Sequence, residues 1–193
     1  MIVNRYSEDP NKYWPLIERF RLQTWEEGND SLTYKKYNPD NPDIETWMCF
    51  KDDKLISISA AERSHYTNDP DIAVRICRYH ILKEHRFTHC GLIMGEHQIK
   101  WARDKGFKIL YITHDIKNKA INNLYQRKKQ MTDKAFKEHI NGEWYTSLQV
   151  EKKFLFTTGK KLQYVYSIRL QGDCDWQPKS EYIVEREHDG QII

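Results

Sequence analysis

The ten residues LKEHRFTHCG, 82–91, gather the groups that hold phosphate. Lys83 and Arg86 bring positive charge, His85 and His89 add ring nitrogens, and Gly91 opens a stretch of helical spacing. A helix N-terminus presents N–H groups without intrahelical partners and a partial positive charge, which suits a phosphate or pyrophosphate. Glycine there lets a ligand approach the backbone closely. A solvated helix cap is the alternative reading, because one arginine and one glycine ahead of a helix are common. Cys49, Cys77, Cys90 and Cys174 are scattered, with no CxxC pair and no Cys/His cluster at zinc-ligand spacing, so free thiols and no metal are expected.

A loop of this kind works only between elements that aim it. Residues 73–81, AVRICRYHI, set Val74, Ile76, Arg78 and His80 alternately against Arg75, Cys77, Tyr79 and Ile81, the period of a strand. From Gly91 onward Leu92, Gly95, Ile99 and Ala102 recur at steps of three and four, with Gly106 as the stop, a helix of about four turns. FKILYITH, 107–114, is a nearly continuous apolar run, as expected of a strand buried on both faces after a crossover helix. Residues 73–114 therefore form a β-loop-α-β unit. Ahead of it, Leu16, Ile17, Phe20 and Thr24 or Trp25 make a helix between Pro15 and Trp25, and 27–45 reads as a long loop. TWMCF (46–50) and LISISAA (55–61) then pair through KDDK as a hairpin. Behind it come a helix capped by Asp115 or Asn118 that carries Ile121, Leu124 and Tyr125, a helix over 133–140, and strands EWYTSLQV, KFLFTT and LQYVYSIRL. The 23 residues 171–193 are polar around a short EYIV and read as an extension of a 1–170 domain.

The 193-residue length favours one domain, and 7 Phe, 6 Trp and 12 Tyr give it a core although 31% of residues are charged. No apolar run nears the roughly 18–20 residues that cross a bilayer, and MIVNRYSEDP lacks a secretory apolar region, so a soluble cytoplasmic protein without a membrane partner is expected. A net charge of +3 does not imply nucleic-acid binding, and QRKK at 126–129 and the lysines of 151–161 read as solvated faces.

The stretch LKEHRFTHCGLIMGEHQIKWARDKGFKILYIT resembles the central motif of the GNAT superfamily of acyl-CoA-dependent N-acyltransferases, written Q/R-x-x-G-x-G/A between a strand and a helix. Arg86 takes the first motif position, His89 the place of the middle glycine, and Gly91 the last. WARDKGF looks like the family's WA-x-x-x-G helix ending, and KNKAINNLY follows the next strand as the family's thiol-approaching segment does. The resemblance covers about residues 10–170 and is sharp over 73–125. It implies a GNAT-like α/β fold: a mixed sheet with antiparallel N- and C-terminal strands around a central parallel strand-helix-strand unit.

It further implies acetyl-CoA or another acyl-CoA as co-substrate, an amine acceptor and no metal. Arg86, Phe87, Thr88, His89, Cys90, Gly91 and Leu92 would take the pyrophosphate, and backbone groups of Tyr79, His80 and Ile81 the pantetheine arm. Tyr125 would protonate or hydrogen-bond the CoA sulfur, and Asn118 would position the cofactor. Among candidate bases, Glu62 and His80 are preferred over His114 and Asp115 for taking the proton of an alkylammonium. Cys77 and Cys90 read as packing or incidental thiols, direct transfer fitting the resemblance better than a thiol nucleophile. Three other readings stay open. One is transfer of a longer acyl chain, as in the N-acyl amino acid or acyl-homoserine lactone synthases, with Arg75 and Arg78 receiving a carboxylate or an acyl-carrier protein. A second is a non-catalytic GNAT-like module, supported by His89 and by the irregular spacing from Ala120 to Tyr125. The third is nucleic-acid binding through exposed aromatics and lysines. A homodimer would cover an edge strand such as 163–170, unless the 171–193 tail does so.

Overall fold

In a computed structural model the described residues are 1–26, 38, 40–63, 67, 69, 71–86, 88–115, 150–158, 161–172, 179–188 and 191–192. They form two compact units, 1–63 with 76–101, and 64–75 with 102–193.

In the first unit, strand β1 (Ile2–Arg5) and a 3-10 turn lead to helix α1 (Pro10–Glu26). The helix starts earlier than Pro15 suggested, because Asp9 caps it: its carboxylate accepts from the Lys12 N–H at 3.1 Å and its carbonyl from the Tyr13 N–H at 3.1 Å. Pro10 then occupies the first helical position, where a missing N–H costs nothing. Strands β2 (Ile44–Lys51) and β3 (Lys54–Arg63) form the expected hairpin. Asp52 and Asp53 take φ of 50° and 60° at its tip, the left-handed pair that a two-residue turn needs and that Asp tolerates. Beyond expectation, β1 adds antiparallel to β2 as a third strand.

Alternation in the hairpin serves two buried faces. Met48 and Ile58, directly opposite each other, meet Tyr13, Ile17 and Phe20 of α1, which lie at helical steps of four and three. Trp47 pairs with Ser59 and Cys49 with Ser57 on the other face, and all four are buried. Helix α2 (Cys90–Asp104) covers that second face, Trp101 meeting Trp47 edge-on with ring centroids 5.2 Å apart.

Strand β4 (Ala73–Ile81) and α2 each contribute residues to both units. A Schellman stop ends α2: Gly106 has φ +85°, its N–H reaches the Arg103 carbonyl at 2.9 Å and the Phe107 N–H reaches that of Ala102 at 3.0 Å. In the second unit, the chain entering β5 (Ile109–Asp115) is tied to the residue that precedes β4, the Lys108 and Ile109 N–H groups both donating to the Ile72 carbonyl. Then β7 (Lys161–Arg169) pairs antiparallel with β5, and β6 (Val150–Thr158) with β7. From the tail, β8 (Ile183–His188) pairs with β6 and β9 (Gln191–Ile192) with β8. Residues 163–170 are thus not an edge: β7 lies between β5 and β6, and the tail covers β6. The outcome is a mixed sheet around a central strand-helix-strand unit. The helices expected over 115–140, with Asn118 and Tyr125, and most of EWYTSLQV fall outside the described residues.

Candidate active site

The site is built on β4 and the loop into α2, within the first unit. Period two along β4 is interrupted at Arg78, whose φ of 51° is left-handed. For a residue with a β-carbon this costs about 1–2 kcal/mol, and it kinks a strand as a bulge does. Neighbouring side chains over-determine the kink. Arg78 Nη1 donates to Glu62 Oε2 at 2.9 Å and to Cys77 Sγ at 3.1 Å, with the ion pair largely shielded from water. Burial opposes the guanidinium charge, yet the Cys77 sulfur and the Glu62 carboxylate outweigh it and push the Arg78 pKa above its ordinary value. The carbonyls on either side are also held: Ser59 Oγ donates to that of Cys77 at 3.4 Å, and Ser57 Oγ to that of His80 at 2.7 Å.

Beyond the kink, consecutive side chains point apart. Buried His80 meets the Phe20 ring of α1 edge-on, centroids 5.8 Å apart. Tyr79 and Ile81 instead reach the start of α2, where a β-carbon on Gly91 would stand 2.6 Å from Tyr79 Oη and 3.7 Å from Ile81 Cδ1. A side chain at 91 would meet the Tyr79 hydroxyl, and the exposed end of that ring would have to shift.

The chain then turns through a 3-10 turn, Lys83–His85. Arg86 Nε donates to the Ile81 carbonyl at 3.3 Å, which ties the exposed guanidinium to the end of β4. Thr88 Oγ1 donates to the His85 carbonyl at 2.7 Å and accepts from the Cys90 N–H at 3.4 Å. The Ile93 N–H bonds the His89 carbonyl at 3.0 Å, so α2 proper begins after His89, whose side chain is exposed. Within the helix itself the N–H groups of Gly91 and Leu92 have no acceptor. The loop's one carboxylate, Glu84, is paired with Lys54 at 3.2 Å and held below its usual range by its own backbone and by that lysine, which leaves the loop a net positive charge.

No family model matches the sequence, and no curated protein matches it. Solved structures do. An aminoglycoside 6'-N-acetyltransferase complexed with coenzyme A aligns over 91% of this chain and 100% of its own, at TM-score 0.54 and 14% identity. An aminoglycoside 6'-N-acetyltransferase from Enterococcus faecium aligns over 91% and 100%, at 0.53 and 14%. A proposed acetyltransferase of the GNAT family from Desulfovibrio desulfuricans aligns over 88% and 99%, at 0.55 and 9%. The chain has the GNAT fold.

On this GNAT scaffold the structure brings together Tyr79, Ile81, Arg86 and Gly91, while Glu62 is turned to Arg78 and His80 to Phe20. The carboxylate that Arg78 receives is one of this chain's own. Phe87, Asn118 and Tyr125 lie outside the described residues, as do the side chains of His114 and Asp115. Sequence reading missed the kink at Arg78 and the bonds of Ser57 and Ser59 to β4, because those contacts span 16 to 23 residues of chain. One signal was present: two serines stand at inward positions of ISISAA, where an apolar residue is ordinary. Among the described residues no group of three His, Cys, Asp or Glu side chains could hold a metal, and no helix is long and apolar enough to cross a membrane.

Proposed function

We propose that the protein is an acyl-CoA-dependent N-acyltransferase that moves an acetyl group directly to an amine of a small molecule, amino acid or protein. The observation that carries this reading is the built start of α2. The N–H groups of Gly91 and Leu92 have no acceptor within α2, Arg86 of the same loop is tied to the Ile81 carbonyl, and the loop is net positive. A diphosphate fits that chemistry. Arg86, Phe87, Thr88, His89, Cys90, Gly91 and Leu92 would hold it, and backbone groups of Tyr79, His80 and Ile81 would hold the arm that follows. The bound co-substrate supplies the acyl group as a thioester.

The remaining work belongs to the chain's own groups. A backbone N–H at His80 or Ile81 stabilises the oxyanion that forms on attack. Glu62, which is ion-paired with Arg78, or His80, which packs on Phe20, would receive through water the proton that the ammonium must lose. Tyr125 gives a proton or hydrogen bond to the departing sulfur, and Asn118 positions the co-substrate.

Calorimetric titration with acetyl-CoA, and in parallel with a longer-chain acyl-CoA, tests the reading on wild type and Arg86→Glu. Micromolar binding is expected, lost in the variant. At a thousandfold excess over Kd the ligand should stabilise the fold by about 4 kcal/mol. Binding of the longer donor alone would replace acetyl by a longer chain, and no heat and no stabilisation with either would leave a GNAT fold without this activity.

A further inference from the structure

The buried polar groups of β3 have a task that the acyl-transfer reading does not yet use. Ser57 and Ser59 are both fully buried, on the face that pairs with Cys49 and Trp47. A buried hydroxyl is costly unless it is bonded, and each of these is bonded to β4. The two carbonyls they take, of Cys77 and His80, bracket the left-handed Arg78. At a kink the regular ladder of backbone bonds is interrupted, and side-chain hydroxyls one strand away can satisfy the acceptors it strands. Ser59 is itself held from the other side. Gln98 of α2, only 2% exposed, donates from Nε2 to Ser59 Oγ at 2.8 Å, so the serine accepts from the helix and donates to the strand.

The geometry points to Ser57, Ser59 and Gln98 as positioning residues: a hydroxyl brace that keeps β4 kinked at Arg78 and thereby sets how Tyr79, His80 and Ile81 present themselves to an acyl-CoA. The brace rests on local contacts alone, and its purpose rests on the acyl-transfer reading. Through Gln98 it ties the kink to α2, whose first turn carries Gly91 against Tyr79. The kinked strand and the middle of α2 are therefore joined through Ser59.

Residue-resolved amide exchange, with acyl-CoA titrations, tests both parts on Ser57→Ala, Ser59→Ala and the control Ile58→Val. Ile58 lies between the serines, equally buried, on the opposite face. Each serine variant should speed exchange over 78–82 at least tenfold more than over 46–49 of β2, and should weaken acyl-CoA binding at least fivefold. Ile58→Val should speed both stretches alike and leave Kd unchanged. Equal acceleration of both stretches in the serine variants would overturn the brace. Selective acceleration with an unchanged Kd would overturn its positioning role. A wild type that binds no acyl-CoA would remove the acyl-transfer reading and the positioning role with it, and the exchange pattern would still decide the brace.

Discussion

At the scale of single residues, the start of α2 separates binding from stability. Gly91→Ala improves helix propensity by up to about 1 kcal/mol, but the new β-carbon would stand 2.6 Å from Tyr79 Oη and push the ring aside. Thermal melting should show little change, while calorimetry should show acyl-CoA affinity falling at least tenfold. Cys49 gives a pH signature of the fold. Its thiol is pushed well up by hydrogen bonding to Cys90, by burial and by the like charge that a Cys90 thiolate would place beside it. Because the folded pKa lies above the unfolded value of 9.0, the neutral thiol's contribution is complete below pH 9 and declines as pH rises above it. The same bond lowers the Cys90 thiol, so Cys49→Ala removes both shifts, and wild type should lose stability more steeply than the variant as pH rises above 9, read by denaturant unfolding at several pH values. Neither the Tyr79–Gly91 contact nor the Cys49–Cys90 contact was legible in sequence, since each joins residues of different elements.

Elements depend on local signals that the sequence carries openly, and their ends can be tested one at a time. Gly106 at φ +85° has nothing within 4 Å of where a β-carbon would go, so Gly106→Ala meets only backbone strain. A loss of about 1–2 kcal/mol is expected from denaturant midpoints. Asp9→Ala removes the cap of α1 and should cost about 1 kcal/mol by the same measurement. Helix α2, strand β5 and the β2–β3 hairpin were all legible in their periodicity and turn residues, because those patterns act over a few positions. What the pattern could not give was the interruption of β4: AVRICRYHI alternates without a break, and the kink at Arg78 is imposed by Glu62, Ser57 and Ser59 of the neighbouring strand.

For the molecule as a whole, the C-terminal tail is the part whose role changed most between sequence and structure. Residues 171–193 look like an appendage, yet β8 pairs along β6 and hides an edge that would otherwise be free. Ending the chain after Gln171 should therefore expose β6, and light scattering should show self-association that rises with protein concentration. Gln171 itself should be kept, because its side-chain amide donates to the carbonyls of Arg103 and Phe107 at 3.1 and 3.0 Å around the end of α2. By itself the sequence determined the first helix, the β2–β3 hairpin, the strand-loop-helix-strand unit with Arg86 and Gly91, and through them the fold, for periodicity, caps and turn residues act within a few positions of the chain. Tertiary structure alone decided the kink at Arg78, the serine brace, the contact of Tyr79 with Gly91 and the pairing of the tail. Each of these is a bond or contact between residues far apart in sequence, and only a folded chain brings such residues within reach of one another.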